Sequence, residues 1–317
     1  MRLLLLHLDD ALERQPDFVR SCVAAGAREL DCKEAGRALR LWAGRSLLDA
    51  LGSEIAGHFA AAGDEPQLCF MGSGDFHHVT ALLLRDVLER HRVPTTLVHI
   101  DNHPDWVHFR KGLHCGSWVN SAHAHRHIAK VITIGVCSSD LRNPERKGAN
   151  LSWLRGGKLE LYPYDHEPSR VHANYGKGAS FEQIGGALHW ICMSAFGEQA
   201  FLDQLLSRIE TSAVYLTIDK DVLADGDAMT NWDQGQMRMP YLLSIIAEIG
   251  RRHRIIGADV IGDYSAPSYG GNRLDRLVKR MEITIDQPRG RRSTSDTENM
   301  NSAANHALLA VLSEAMA

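Results

Sequence analysis

Residues 199–221 read QAFLDQLLSRIETSAVYLTIDKD. The first half carries apolar side chains at helical spacing (Phe201, Leu202, Leu205, Leu206, Ile209), and residues 213–219 form a nearly unbroken apolar run. That run ends on two aspartates, Asp219 and Asp221. A helix feeding a strand with no polar face predicts a parallel sheet covered on both sides. The same unit recurs outward along the chain. Downstream, a helix over 240–253 precedes a strand over 254–262. Upstream, strands are expected over 2–8, 67–72, 95–101, 130–136 and 158–164, with a helix over 78–91. Residues 34–62 read as one helical stretch and residues 302–317 as a closing amphipathic helix. Residues 140–198 read as loops around one strand and one short helix, and residues 286–299, with PRGRR at 288–292, as a solvated polar loop. The expected fold is a three-layer α/β/α domain with a mainly parallel sheet, spanning 1–317 as one unit.

Composition narrows the function classes. The chain has 317 residues, 44% hydrophobic and 23% charged, which is ordinary for a globular protein able to bury a core without covalent staples. Lys and Arg number 35 against 39 Asp and Glu, a formal charge of −4 that argues against nucleic acid or an anionic membrane as the main partner. The apolar run in MRLLLLHLDD is too short for a leader or a membrane span and reads as a buried strand. The six cysteines show no C-x-x-C pair, which suits reduced thiols in a cytoplasmic protein.

The chemistry sits where strands end, the place where open parallel sheets hold ligands. Strand 67–72 runs into GSGDFHH, with Asp75, His77 and His78. Strand 95–101 runs into DNHPD, with Asp101, His103 and Asp105. Strand 213–219 runs into Asp219 and Asp221. Residues two apart at an extended strand end point to one side, so Asp101/His103 and Asp219/Asp221 can each aim at one place. Any one of these pairs has a bland reading as a helix cap or surface charge. Together they gather at least four carboxylates at one sheet edge, where unpaired charges repel and two divalent ions would balance them. An oxygen-rich set with minority imidazole and no thiolate suits Mn²⁺ better than structural zinc, with Zn²⁺, Fe²⁺ or Co²⁺ also accommodated. Two such ions can present an activated water as nucleophile. His123, His125 and His127 have no carboxylate nearby in sequence and read as surface histidines.

In their order, GSGDFHHVT, DNHPD and TIDKDVL resemble the metal motifs of the ureohydrolases, the arginase and agmatinase family. ITIGVCSSD, GADVIGD and NHALLAVLSEAM resemble that family's middle strand, late strand and final helix, so the resemblance spans most of the chain. It implies the eight-stranded arginase-type sheet and hydrolysis of a non-peptide C–N bond in a small guanidine, amidine or amide. It implies that Asp101 and Asp219 bridge two ions, that His77 and Asp105 complete one shell, and that His103 and Asp221 complete the other. It implies that His114 passes a proton to the leaving amine, that Asp221 also orients the nucleophile, and that Asp140 contacts substrate. Oligomers are common in the family, and a homo-oligomer is compatible with this chain.

The departures bear on specificity. One extra residue, Phe76, precedes the histidines, leaving His77 and His78 as alternatives for one ligand. Gly262 stands where the family carries the Glu that grips a guanidinium, and Asp263 is the candidate substitute. On this reading Gly262→Glu would restore guanidine hydrolysis if only that clamp is missing. The adjacent His77 and His78 also resemble the single-zinc deacetylase branch of the fold. A metal-binding relic without turnover is the non-enzyme alternative.

Overall fold

The computed structural model describes residues 1–59, 63–290 and 293–317. The end of the 34–62 stretch, residues 60–62, and Arg291 and Arg292 of the polar loop lie outside the described residues. Eight strands form the central sheet: β1 (Arg2–His7), β2 (Arg28–Asp31), β3 (Gln67–Met71), β4 (Thr95–Ile100), β5 (Ile128–Ile134), β6 (Leu159–Tyr162), β7 (Ala213–Asp219) and β8 (Arg254–Ile261). Their spatial order is β2-β1-β3-β8-β7-β4-β5-β6, and every pairing is parallel.

The unbroken apolar character of the strands has a direct consequence in packing. In β1, Leu4 and Leu6 enter one core and Leu3 and Leu5 the other. The first core is closed by α3 (Arg45–Phe59), α4 (Thr80–His91) and α5 (Val119–Ala124), through residues such as Leu51, Leu83 and Val119. The second is closed by α1 (Pro16–Ala24), α6 (Glu198–Arg208), α7 (Met239–Arg252) and α9 (Ser295–Ala315). In α7, Tyr241, Leu242, Ile245, Ile246 and Ile249 recur at helical spacing and face inward. No helix among the described residues is long and apolar enough to cross a membrane. The six cysteines form no disulfide.

Register places the site. Ile218 of β7 pairs with Ile100 of β4, and Asp219 pairs with Ile261 of β8. The residues that follow β3, β4, β7 and β8 therefore emerge side by side.

Four expectations need correction. The 34–62 stretch is not one helix but α2 (Lys33–Leu39) and α3, separated where Arg40 turns inward to Asp9 and Asp75. Leu41 there takes a φ of 67°, and Trp42–Ala43 pairs antiparallel with Leu113–His114. Residues 140–198 contain a small antiparallel sheet of Ser169–Arg170, Phe181–Ile184 and Ala187–Trp190, whose strands are too short to show periodicity. The closing helix begins at Ser295, not 302, because the Thr294 hydroxyl accepts from Thr297 N. Finally, the polar loop expected over 286–299 is shorter, because α8 (Arg273–Asp286) takes its first residue and α9, from Ser295, its last five.

Candidate metal centre

The segment after β3 folds as a 3₁₀ helix, Gly74–Val79, and this turn absorbs the extra residue. Phe76 goes into the core beneath the Arg40 guanidinium, 4.9 Å from its ring centroid, while His77 points to the sheet edge. Gly74 is needed for this approach, since a Cβ there would lie 2.7 Å from Asp219 Oδ2. His78 turns away. Both its ring nitrogens are buried without a hydrogen-bond partner, and it belongs to neither donor group described below. Of the two histidines, His77 is the one brought into a donor group.

His77 Nδ1 lies 3.0 Å from Asp101 Oδ2, 3.2 Å from Asp105 Oδ2 and 3.6 Å from Asp219 Oδ2. Its Nε2 is 2.9 Å from Thr217 Oγ1, and that hydroxyl donates to Asp259. Asp105 reaches the cluster through a left-handed turn, φ 47°, and accepts from Trp118 Nε1 at 2.7 Å. Aspartate tolerates that backbone region better than most residues. His103 Nδ1 lies 2.9 Å from Asp221 Oδ2 and 3.6 Å from Asp101 Oδ1. Two donor groups result, His77/His99/Asp101/Asp105 and Asp101/His103/Asp221, and they share Asp101. Asp219 lines the same cavity beside them without joining either group.

His99 was not anticipated. It sits in β4 with Nε2 2.8 Å from Asp101 Oδ2. Its signal was present in the sequence: His99, Asp101 and His103 alternate along VHIDNH and share one side of the extended chain.

Electrostatics explain why this cluster suits cations. Burial, reinforced by Asp101, pushes the Asp219 carboxyl up to about 7. Burial, with Asp219 and Asp101, raises Asp221 well above the carboxylate range. Burial alone would lower His77 and His103, but the carboxylates around them hold both well above the usual imidazole value. Burial would raise Asp101 too, yet His99, His103 and His77 hold it well below the ordinary range. In the absence of cations the centre therefore retains protons that divalent ions would replace.

A stability prediction follows from the signs. Asp219, Asp221, His77 and His103 all bind protons more tightly folded than unfolded. Their contribution is present at low pH and is lost as pH rises through the folded values, about 7 for Asp219. The metal-free chain should melt lower at about pH 8 than at about pH 6, and added Mn²⁺ should raise the melting temperature more at the higher pH. Melts with chelator and with Mn²⁺ at both values check this; a gain that shrinks with rising pH would contradict it.

The loop after Asp221 supplies the outer support of His103. Asp233 Oδ1 lies 3.0 Å from His103 Nε2, and Asn102 Nδ2 donates to the Asp233 backbone oxygen at 2.9 Å. Trp232 packs edge-on against His103 and donates to Asp75. Carboxylate support of a ligating imidazole fixes its tautomer and orientation. Asp233→Ala should weaken metal affinity about 10–100-fold, with Asp233→Glu recovering part of it. Calorimetric Mn²⁺ titration of the metal-depleted chain reads this directly, and unchanged affinity would contradict it.

The cavity above the cluster has a volume of about 460 Å³. Its border includes His114, Asp140, Lys147, Asp233, Glu282 and Asp286 as well as the six expected ligands. The Trp42–Ala43 ribbon holds His114 in place. His114 Nδ1 accepts from Gly116 N at 2.8 Å, so Nε2 carries the proton and meets Glu282 of α8. Asp140 pairs with Lys147 at 3.0 Å. Asp263 is not brought to the cavity. It is buried, paired with Lys220 and hydrogen-bonded by Asn305 Nδ2 at 3.1 Å, away from the place where a substrate contact was expected of it. Glu282 and Asp286 gave no local signal, because α8 lies far along the chain from every metal motif.

No family model matches the chain. An uncharacterized protein of Thermotoga maritima is 25% identical over 194 residues, which is 61% of this chain and 57% of that relative's length. Among solved structures, formimidoylglutamase from Bacillus subtilis superposes with a TM-score of 0.62 at 11% identity, covering 100% of this chain and 87% of that one. Arginase from Bacillus cereus gives 0.59 at 14%, covering 98% and 97%. A hypothetical agmatinase from Burkholderia thailandensis gives 0.55 at 17%, covering 99% and 86%. The chain has the arginase-like α/β fold.

Proposed function

We propose that the chain is a divergent ureohydrolase, a hydrolase that uses two divalent ions, manganese in the first place, to split a C–N bond of a small linear amidine or guanidine. The carrying observation is the pair of donor groups sharing Asp101 at the floor of the cavity. The fold shared with an arginase and a formimidoylglutamase supports the same reading. When bound, the two ions would supply a water activated near neutral pH and polarise the scissile group.

The chain's own residues account for the rest. Asp221 Oδ1 accepts from Asn102 N at 3.1 Å, which fixes its carboxylate for ligation and for orienting the nucleophile. His114 presents its Nε2 proton to Glu282, and the pair, once it holds the further proton released by the water that hydrolysis consumes, is placed to pass one proton to a departing amine. Asp140, Glu282 and Asp286 make the mouth acidic around Lys147, which suits a cationic substrate. Glu282 takes the place of the carboxylate that Gly262 lacks. The adjacent His77 and His78 that resemble a single-zinc deacetylase diverge here, with His77 in a donor group and His78 outside both, its ring nitrogens buried.

The test is a screen of guanidines and amidines against Mn²⁺-loaded protein for released urea or ammonia. Turnover of at least one compound is expected; none on any of them, with metal bound, would favour the relic. Given a substrate, Glu282→Gln should raise KM about tenfold, as expected for one lost charge-assisted contact. An unchanged KM would remove Glu282 from recognition.

A further inference from the structure

Helix α8 presents its apolar side to solvent. Among the described residues nine large apolar side chains are exposed, and five of them, Leu274, Leu277, Val278, Met281 and Ile285, lie on this one helix. They fall at i, i+3, i+4, i+7 and i+11, a single stripe, with Leu274 66% and Ile285 75% exposed. The buried residue of the helix is Lys279. Its ammonium donates to the Ala38 and Trp42 carbonyl oxygens at 2.7 and 2.8 Å and lies 4.4 Å from the Trp42 ring centroid. The helix is anchored through Lys279 and through Ile283, which packs against the Leu41, Trp42 and Cys115 cluster, while the five stripe residues stay exposed among the described residues. Contiguous exposed apolar surface of this kind marks a place of association.

The charges beside the stripe say what covers it. Arg273 and Arg280, seven residues apart, follow one edge; Asp275 and Glu282, also seven apart, follow the other, where Glu282 already turns one oxygen to His114 in the cavity and Asp275 is the acidic group outside it. We propose that the α8 stripe is the contact between two copies of this chain, related by a two-fold axis running along the helix. About such an axis the arginine edge of each copy meets the acidic edge of its partner, and the stripes face each other. A two-fold axis across the helix would instead bring like edges together. An anionic lipid surface would meet repulsion from the acidic edge, and the net charge of −4 gives it no compensating attraction. Because Glu282 and Ile285 also border the cavity, this contact runs along its mouth.

Sedimentation velocity of the intact chain should show a dimer. The Leu277→Asp/Met281→Asp variant, altered at exposed positions outside the cavity, should sediment as a monomer that keeps the wild-type circular dichroism and melts cooperatively, independent of protein concentration. Arg273→Glu/Arg280→Glu should weaken dimerisation about tenfold or more. In a parallel pair each stripe residue faces its own copy, so Leu274→Cys and Met281→Cys should each form intermolecular disulfides under mild oxidation beyond the wild-type background. A wild type that stays monomeric would overturn the proposal, as would a dimer that survives Leu277→Asp/Met281→Asp. Binding of a monomeric wild type to phosphatidylserine vesicles would also overturn it, by identifying lipid as the occupant.

Discussion

Asp101→Asn is expected to empty the centre. Asp101 is the residue common to both donor groups, with Oδ2 toward His77 and His99 and Oδ1 toward His103. Asparagine keeps the volume and one oxygen but removes the charge and replaces an acceptor with a donor. Three histidines would then surround a neutral amide, and neither ion would keep its shared carboxylate. We expect the variant to retain less than about one metal per chain and any hydrolytic turnover to fall by on the order of 10³-fold or more. The fold should persist, because Asp101 lies at a strand end and both cores are built from other residues. Elemental analysis and a melting curve, read together, separate loss of metal from loss of structure. Full metal content in Asp101→Asn would refute the shared-ligand geometry.

Gly262→Glu is expected to damage the protein rather than add a guanidinium clamp. Gly262 follows β8 with φ 100°, a region that L side chains rarely adopt. A Cβ there would lie 2.2 Å from Asp219 Oδ1 and 2.6 Å from Lys220 N. The backbone is held in place, since Gly262 N and Asp263 N both donate to Gly72 O at 3.0 Å. The neighbour that would have to move is a carboxylate of the site itself. Strained backbone and overlap together should cost at least about 4 kcal/mol, which corresponds to a fall in melting temperature on the order of 10 °C in a chain of this size. A Gly262→Glu protein that melts like the wild type would contradict this. The structure therefore offers Glu282, on a different element, as the residue to test for recognition.

Much of this was legible in the sequence because it is local. Residues 213–219 are apolar on both faces and are β7, residue for residue. The aspartates and histidines that end β4 and β7 declare themselves by alternation, and strand register alone brings them together. Residues missed in the sequence depend on distant partners. The break at Arg40 is set by Asp9 and Asp75, 31 and 35 residues away, which override the helical periodicity of 34–62. Asp263 reads as a free acid after a strand, yet Lys220 and Asn305 enclose it from two other elements. Glu282 sits on a helix whose apolar stripe faces outward, so periodicity could not report which side meets the cavity. Asp233 reaches His103 across 130 residues, from a loop with no regular pattern.

The central claim is that two donor groups sharing Asp101 hold a pair of divalent ions. It is tested most directly by elemental mass spectrometry of wild-type protein purified from Mn-supplemented cells. The account predicts about two Mn per chain, removable by chelator and restored on titration. A protein that carries no metal and takes none up would contradict it, and so would one that saturates at a single zinc.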